Sequence, residues 1–242
     1  MSLALTRLDK LLQALVSWRL LSALLRHRVL AGAEHRRVLA REIDTVVDIG
    51  ANRGQFALAA RRWAPNARVI AFEPLAGPAA VFRRVFAGDA KVILHQAAIG
   101  PTSARQAMHV SAKEDSSSLL PISDAQVAMF PGTQEAGTVE VRVARLDEFL
   151  SPDDLPALAL LKLDVQGFEL DALMGCESLL DRFDWVYCEC SYVELYTGQK
   201  LVDEVSVWLA ERGFVAAGSF NHARDGEGRV VQADFLFRRG RA

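Results

Sequence analysis

Four carboxylates in this chain lie in or just beyond apolar runs: Asp48 in "TVVDIGANRGQFA", Glu73 in "ARVIAFEP", Asp164 in "ALALLKLDVQG" and Glu189 in "WVYCECSY". The first is followed by a glycine-bracketed turn, Gly50-Ala51-Asn52-Arg53-Gly54. A carboxylate with a glycine turn at the end of a buried strand suits a polar ligand, and three ligand classes compete. A phosphate-cradling loop needs G-x-x-x-x-G-K-[ST]; here the turn is one residue shorter, and Gly54 precedes Gln55, so no lysine is available. A dinucleotide loop needs G-x-G-x-x-G so that backbone can approach the pyrophosphate. Asn52 takes the second glycine position, and Asp48 would repel a dianionic pyrophosphate. S-adenosylmethionine has no phosphate, and its methionyl end carries an ammonium and a sulfonium, so an acidic strand end attracts it. Glu73 is placed to accept hydrogen bonds from ribose hydroxyls. An acid there would serve NAD as well, so an NAD-dependent oxidoreductase stays as the second reading, and the pair of Asp48-x-Gly50 with Glu73 carries the preference.

The elements that must position these residues alternate. "TVVDIG" is a continuous apolar run, as in a strand buried on both faces. "GQFALAARRWA" follows as a helix with Phe56, Ala59, Ala60 and Trp63 on one face, stopped by Pro65. "ARVIAFEP" is a second strand, "GPAAVFRRVFAG" a helix and "KVILHQAAIG" a third strand. "QAMHVSA" and "TVEVRVARL" alternate like exposed strands, with Val139, Val141 and Val143 on one side. The polar stretch between them reads as a loop within an inserted flap, not a separate domain. Alternation then resumes: a strand to Asp164, a helix breaking at Gly175, the strand "WVYCECSY", a helix ending at Gly213, and a final antiparallel pair joined by "NHARDGEGR". Strands alternating with helices predict a doubly wound α/β sheet.

Bulk properties exclude more than they identify. A formal net charge of -2 lacks the basic footprint that nonspecific nucleic-acid binding needs. Cys176, Cys188 and Cys190 form no metal or disulfide spacing, which points to a reduced, cytoplasmic chain; Cys188 and Cys190, two apart, face one side of a strand as small apolar residues. In "LDKLLQALVSWRLLSALLRHRVLAGAEHRR" leucines recur at helical spacing among basic residues, and Arg19 interrupts the apolar run. This predicts an amphipathic helix packed on the domain or on a second subunit, with peripheral contact to an anionic membrane as the sharper alternative.

"VVDIGANRGQFA", "VIAFEP", "QAAIG", "DSSSLL", "VRVARLDEFL" and "LLKLDVQGFELDALMG" together resemble the FkbM-type family of S-adenosylmethionine-dependent methyltransferases, from about Val46 to Glu189. The resemblance implies a Rossmann-like class I methyltransferase fold with a mostly parallel seven-stranded sheet. A helical extension would occupy residues 1–42 and the methyltransferase domain residues 43–242, with the β insertion at about 102–145, after the third strand. Carried over by position, Asp48, Gly50, Ala51, Asn52, Gly54, Gln55 and Phe56 are implied to form the methionine-side seat of the cofactor. Glu73 and Pro74 fall at the ribose, Gln96, Ala97 and Ala98 near the adenine, and Ser117 and Ser118 over the cofactor. The family pattern "DVEGxE" is here Asp164-Val165-Gln166-Gly167-Phe168-Glu169, so Gln166 replaces an acid and cannot act as a base.

The implied acceptor is a hydroxyl on a saccharide, glycolipid or related natural product, and the departure at Gln166 leaves a noncatalytic binding module as the alternative. Methyl transfer is an in-line displacement that depends on alignment, and a sugar hydroxyl benefits from a base or a metal. Asp164, at the end of a core strand, is the leading candidate base and also lies beside the cofactor seat; Glu189 follows. His222, read as part of the last loop, is the histidine to test. Glu169 reads as a favourable charge at a helix N-terminus. Asp164 with Glu189 offers a minimal oxygen set for Mg2+, and no histidine cluster indicates a transition metal.

Overall fold

A computed structural model describes residues 17–240; expectations for the first sixteen residues lie outside the described part. The described part opens with helix α1 (Trp18–His27) and a single turn, α2 (Arg36–Leu39). There follow β1 (Thr45–Ile49), α3 (Gln55–Trp63), β2 (Arg68–Phe72), α4 (Ala76–Val85), β3 (Val92–His95) and β4 (Ala98–Ile99). The flap comprises β5 (Ala104–Ser111), α5 (Asp124–Met129) and β6 (Glu135–Ala144). The second half is β7 (Ala159–Leu163), α6 (Glu169–Gly175), β8 (Trp185–Ser191), α7 (Val202–Glu211), β9 (Phe214–Arg224) and β10 (Val230–Arg239).

The main sheet has seven strands in the order β3-β2-β1-β7-β8-β10-β9, all parallel from β3 to β8, with β10 antiparallel to both of its neighbours. This is the doubly wound, mostly parallel sheet expected. The order reverses between β1 and β7, which is where ligands sit in such sheets. All residues of β1 and β7 are buried. Because side chains alternate, Val47, Ile49, Leu161 and Leu163 enter the core beneath α6 and α7, whereas Val46 and Leu160 join Phe56, Leu58 and Leu39 on the opposite face. Asp48 and Lys162 are register partners on that second face.

Three details depart from expectation. "KVILHQAAIG" is not one strand: β3 ends at His95, and β4 leaves to pair with β6 in a second sheet ordered β4-β6-β5. The loop expected in the flap contains α5, whose first turn is capped by Ser123 Oγ accepting Gln126 N at 3.2 Å. Of the three valines on β6, Val141 and Val143 are buried but Val139 is exposed, since the strand runs past the domain body.

The described part of the N-terminal segment packs on the domain. α1 buries Leu20 and Ala23 beside α4, and Arg19 pairs with Asp89, which Arg61 also holds at 3.0 Å. Trp18 and Leu25 face outward. Among the described residues no helix is long and apolar enough to cross a membrane. Cys188 and Cys190 are buried on one face of β8, as their spacing predicts.

Candidate functional site

A cavity of about 470 Å³ opens over the carboxyl ends of β1, β2, β7 and β8, roofed by the flap and flanked by the N-terminal segment. The β1–α3 loop forms its floor. Every backbone N–H from Gly50 to Gly54 is already engaged inside the protein. Gly50 N and Ala51 N donate to Phe72 O at 3.0 and 2.9 Å. Asn52 N donates to Glu73 Oε2 at 2.9 Å, Arg53 N to Asn52 Oδ1 at 2.6 Å, and Gly54 N to Ala51 O at 2.9 Å. A loop that cradles phosphate leaves such amides free; this one does not.

Glycine is required at position 50. Its φ is +79°, and a Cβ there would lie 1.9 Å from the Asp164 carbonyl oxygen. The two ligand loops therefore touch backbone to backbone. Glu73 braces the first loop, accepting Leu75 N at 2.7 Å as well as Asn52 N. Burial pushes its carboxyl up to about 7, against the pull of those two amides. Each of its oxygens retains a further acceptor direction.

Lys162 is the charged centre. Its Nζ lies 3.1 Å from Asp48 Oδ1, 3.6 Å from Asp164 Oδ2 and 3.2 Å from Gly50 O. Burial disfavours its charge, but the Asp48 and Asp164 carboxylates outweigh this and raise its pKa. Asp48 is raised by burial and lowered by Lys162, the net being upward. This corrects the expectation that Asp48 presents a negative field to the ligand. Asp48 is fully buried, does not line the cavity, and is neutralised by Lys162.

The β7–α6 loop is built differently. Gln166 sits at φ 54°, and its Nε2 donates to Asp164 Oδ1 at 2.8 Å and to Glu189 Oε2 at 2.9 Å. Tyr196 Oη lies 2.8 Å from Gln166 Oε1 and 3.1 Å from the Ser116 carbonyl oxygen, and donates its one proton to the nearer. The residue that departs from the family pattern is thus a neutral bridge between two carboxylates. Burial and the charge of Asp164 hold Glu189 well above the ordinary range. Glu169 is buried and accepts Val165 N at 3.2 Å and Gly167 N at 3.0 Å, so it braces its loop as Glu73 braces the other. Burial raises it to about 7.

Of the residues expected at the site, Gly50, Ala51, Asn52, Gln55, Phe56, Glu73, Pro74, Ala97, Ala98, Ser117, Asp164 and Glu189 line the cavity. Gly54 lies behind the loop as the residue preceding α3. Gln96 is exposed and bonded to Arg83 at 3.1 Å. Ser118 is buried in the flap, where its Oγ accepts Leu120 N at 3.0 Å. His222 requires correction: it lies within β9, on an exposed edge of the sheet, 3.1 Å from Ser219 Oγ, and does not line the cavity. Residues lining the cavity that were not anticipated include Lys162, the flap's Glu114 (bonded to Arg53 Nη2 at 2.6 Å) and His35. Lys162 left a signal in the sequence, a lone lysine inside the apolar run "LALLKL". Among the described residues no group of three or more His, Cys, Asp or Glu could hold a metal, so Mg2+ gains no support.

Buried acceptors bear on the ligand. Gln55 Oε1, on a residue lining the cavity, has no hydrogen-bond partner among the described residues. With Glu73 and Asp164 it makes a wall of acceptors, suited to ammonium and hydroxyl donors.

Comparison with known proteins identifies the relatives of the chain. The model of the "Methyltransferase FkbM domain" matches residues 48–216. The chain is 30% identical over 174 residues to the 2-O-methyltransferase NoeI of Sinorhizobium fredii, covering 68% of this chain and 72% of that one. It is 29% identical over 184 residues to Methyltransferase 1 of Beauveria bassiana, covering 71% and 72%. A solved structure from Clostridium thermocellum, named for rRNA-methylase activity, superposes with a TM-score of 0.51 at 10% identity, covering 85% of this chain and 93% of that one; this likeness concerns the fold alone. The chain belongs to the FkbM methyltransferase family.

Proposed function

We propose that this protein transfers the methyl group of S-adenosylmethionine to a hydroxyl on a saccharide, glycolipid or related natural product. The observation that carries the choice of donor is the saturated β1–α3 loop. With each amide from Gly50 to Gly54 engaged internally, the loop has nothing to offer a pyrophosphate, which weighs against NAD. Glu73 is the acceptor for the ribose hydroxyls, and Gln55 Oε1 is an acceptor for the ammonium. Gly50, Ala51, Asn52 and Phe56 shape the seat, and Pro74, Ala97 and Ala98 with Ser117 enclose the rest. Asp48 acts indirectly, by holding Lys162 against the loop. Bound there, the donor supplies an electrophilic methyl carbon.

Asp164 and Glu189 meet the acceptor. Lys162 and Gln166 hold Asp164 in place, so it accepts a hydrogen bond from an acceptor hydroxyl beside the reacting one and orients the acceptor for attack. Glu189, inclined to keep its proton, donates to a neighbouring oxygen of the acceptor. The relative named a 2-O-methyltransferase supports oxygen as the methylated atom. Incubating the full chain with radiolabelled S-adenosylmethionine and a panel of glycans and lipid-linked sugars tests this. The expected product carries label in an ether linkage stable to mild base. Base-labile label would point to a carboxyl acceptor, and quenching of protein fluorescence by NAD would restore the oxidoreductase reading.

A further inference from the structure

The cavity continues past the strand ends to the N-terminal segment, where Glu34, His35 and Gln232 line it. That segment is fixed by Gly32 N, which donates to Gln55 O at 3.0 Å. His35 packs edge-on against Phe56 and Tyr187, with ring centroids 5.0 and 5.6 Å apart. Its Nδ1 lies 3.0 Å from Tyr187 Oη. Tyr187 donates its one proton to Asp234 Oδ2 at 2.6 Å, and Asn221 Nδ2 donates to the same carboxylate oxygen at 2.7 Å and to Tyr187 Oη at 3.2 Å.

These distances fix the histidine tautomer. With its proton committed to Asp234, the Tyr187 oxygen can only accept from His35, so Nδ1 carries the imidazole hydrogen. Nε2 then holds the lone pair. Its charged neighbour is Glu34, with Oε1 at 3.8 Å. Burial lowers the pKa of His35, opposed by Asp234 and Glu34; farther off, Lys162 lowers it and Asp164 raises it.

We propose that His35 is the general base of the reaction, an inference that rests on the methyl-transfer reading above. As the acceptor oxygen bonds to the methyl carbon and the carbon–sulfur bond breaks, its electron pair passes to sulfur and the hydroxyl proton passes to Nε2. The imidazolium is stabilised through Tyr187 by Asp234 and releases its proton to water after the products leave. Tyr187 and Asp234 are positioning residues, and the segment from Gly32 to His35 is part of the site.

Two measurements on the full chain test this. In protein labelled with 15N-histidine, with the His35 signal assigned by its loss in His35→Gln, the ring is expected as the Nδ1–H tautomer at pH 7. Tyr187→Phe should erase that preference. An Nε2–H tautomer or an imidazolium at pH 7 overturns the proposal. In the radiolabel assay with the glycan panel, His35→Gln is expected to lower kcat by about 10²-fold or more, with affinity for S-adenosylhomocysteine within about twofold of wild type. Full kcat in a variant that still binds S-adenosylhomocysteine overturns this proposal alone. A wild type that binds no S-adenosylhomocysteine overturns the methyl-donor reading, and this inference with it.

Discussion

The β1–α3 and β7–α6 loops lie over neighbouring strand ends and share a plan. Each includes residues at positive φ, each is braced by one buried glutamate, and the two meet where Gly50 abuts the Asp164 carbonyl. They differ in what they turn toward the cavity. The first spends its amides on its own fold and presents a shaped backbone with acceptors beside it. The second spends side chains, with Gln166 tying Asp164 to Glu189. On the proposed reading the first seats the methyl donor and the second handles the acceptor, and among the described residues Lys162 is the one cation that contacts both.

Breaking that shared cation should cost most. Lys162→Met leaves Asp48 buried and unpaired, and urea unfolding is expected to show a loss of about 3–5 kcal/mol. Adding Asp48→Asn should recover a large part of it. A loss below about 1 kcal/mol would mean that Lys162 does not join the loops. Next comes the backbone contact. Gly50→Ala drives a methyl into the Asp164 carbonyl and should cost about 3 kcal/mol. Gly88→Ala, at φ +83° with nothing within 4 Å, should cost about 1–2 kcal/mol. Equal losses would show strain at φ, not loop contact, to be the cause.

The two braces make the comparison pH-dependent. Glu73 and Glu169 hold their protons to about 7 when folded, against an ordinary value of 4.5. Between those limits the folded state binds more protons than the unfolded one, so stability falls as pH rises. The contribution is complete below about 4.5. Each group adds at most about 1.4 kcal/mol per pH unit to the slope, and Glu169→Gln should make it shallower. A slope unchanged in both Glu73→Gln and Glu169→Gln would remove the braces from the account. The smallest effect is expected from Gln166→Glu. Placing a third carboxylate against Asp164 and Glu189 should cost about 1–2 kcal/mol at pH 8 and less at pH 5. Equal cost at both pH values would mean that the neutral bridge is not what position 166 provides.

How far the sequence revealed this depended on the kind of signal. β1 and β7 are continuous apolar runs because both of their faces are buried, and such runs are plain to read. The glycine turn and Glu73 stand out in the sequence because their types restrict what can bind, and Gly50, Ala51, Asn52 and Glu73 line the cavity. The pairing of Asp48 is not legible in the sequence, since its partner lies 114 positions along the chain and only strand register brings Lys162 beside it. Gln166 reads in the sequence as a lost acid, whereas in the fold its two amide hydrogens reach two acids. His35 could not be found by spacing, since Tyr187, Asn221 and Asp234 come from distant strands. The split of the third strand depended on β6, a partner far away in sequence.

Calorimetric titration of S-adenosylhomocysteine into wild type, Glu73→Ala and Glu189→Gln tests the division between the loops most directly. Wild type should bind, Glu73→Ala should bind at least tenfold more weakly through loss of the acceptor for the ribose hydroxyls, and Glu189→Gln should stay within about threefold of wild type. No binding by wild type, or undiminished binding by Glu73→Ala, would contradict the account.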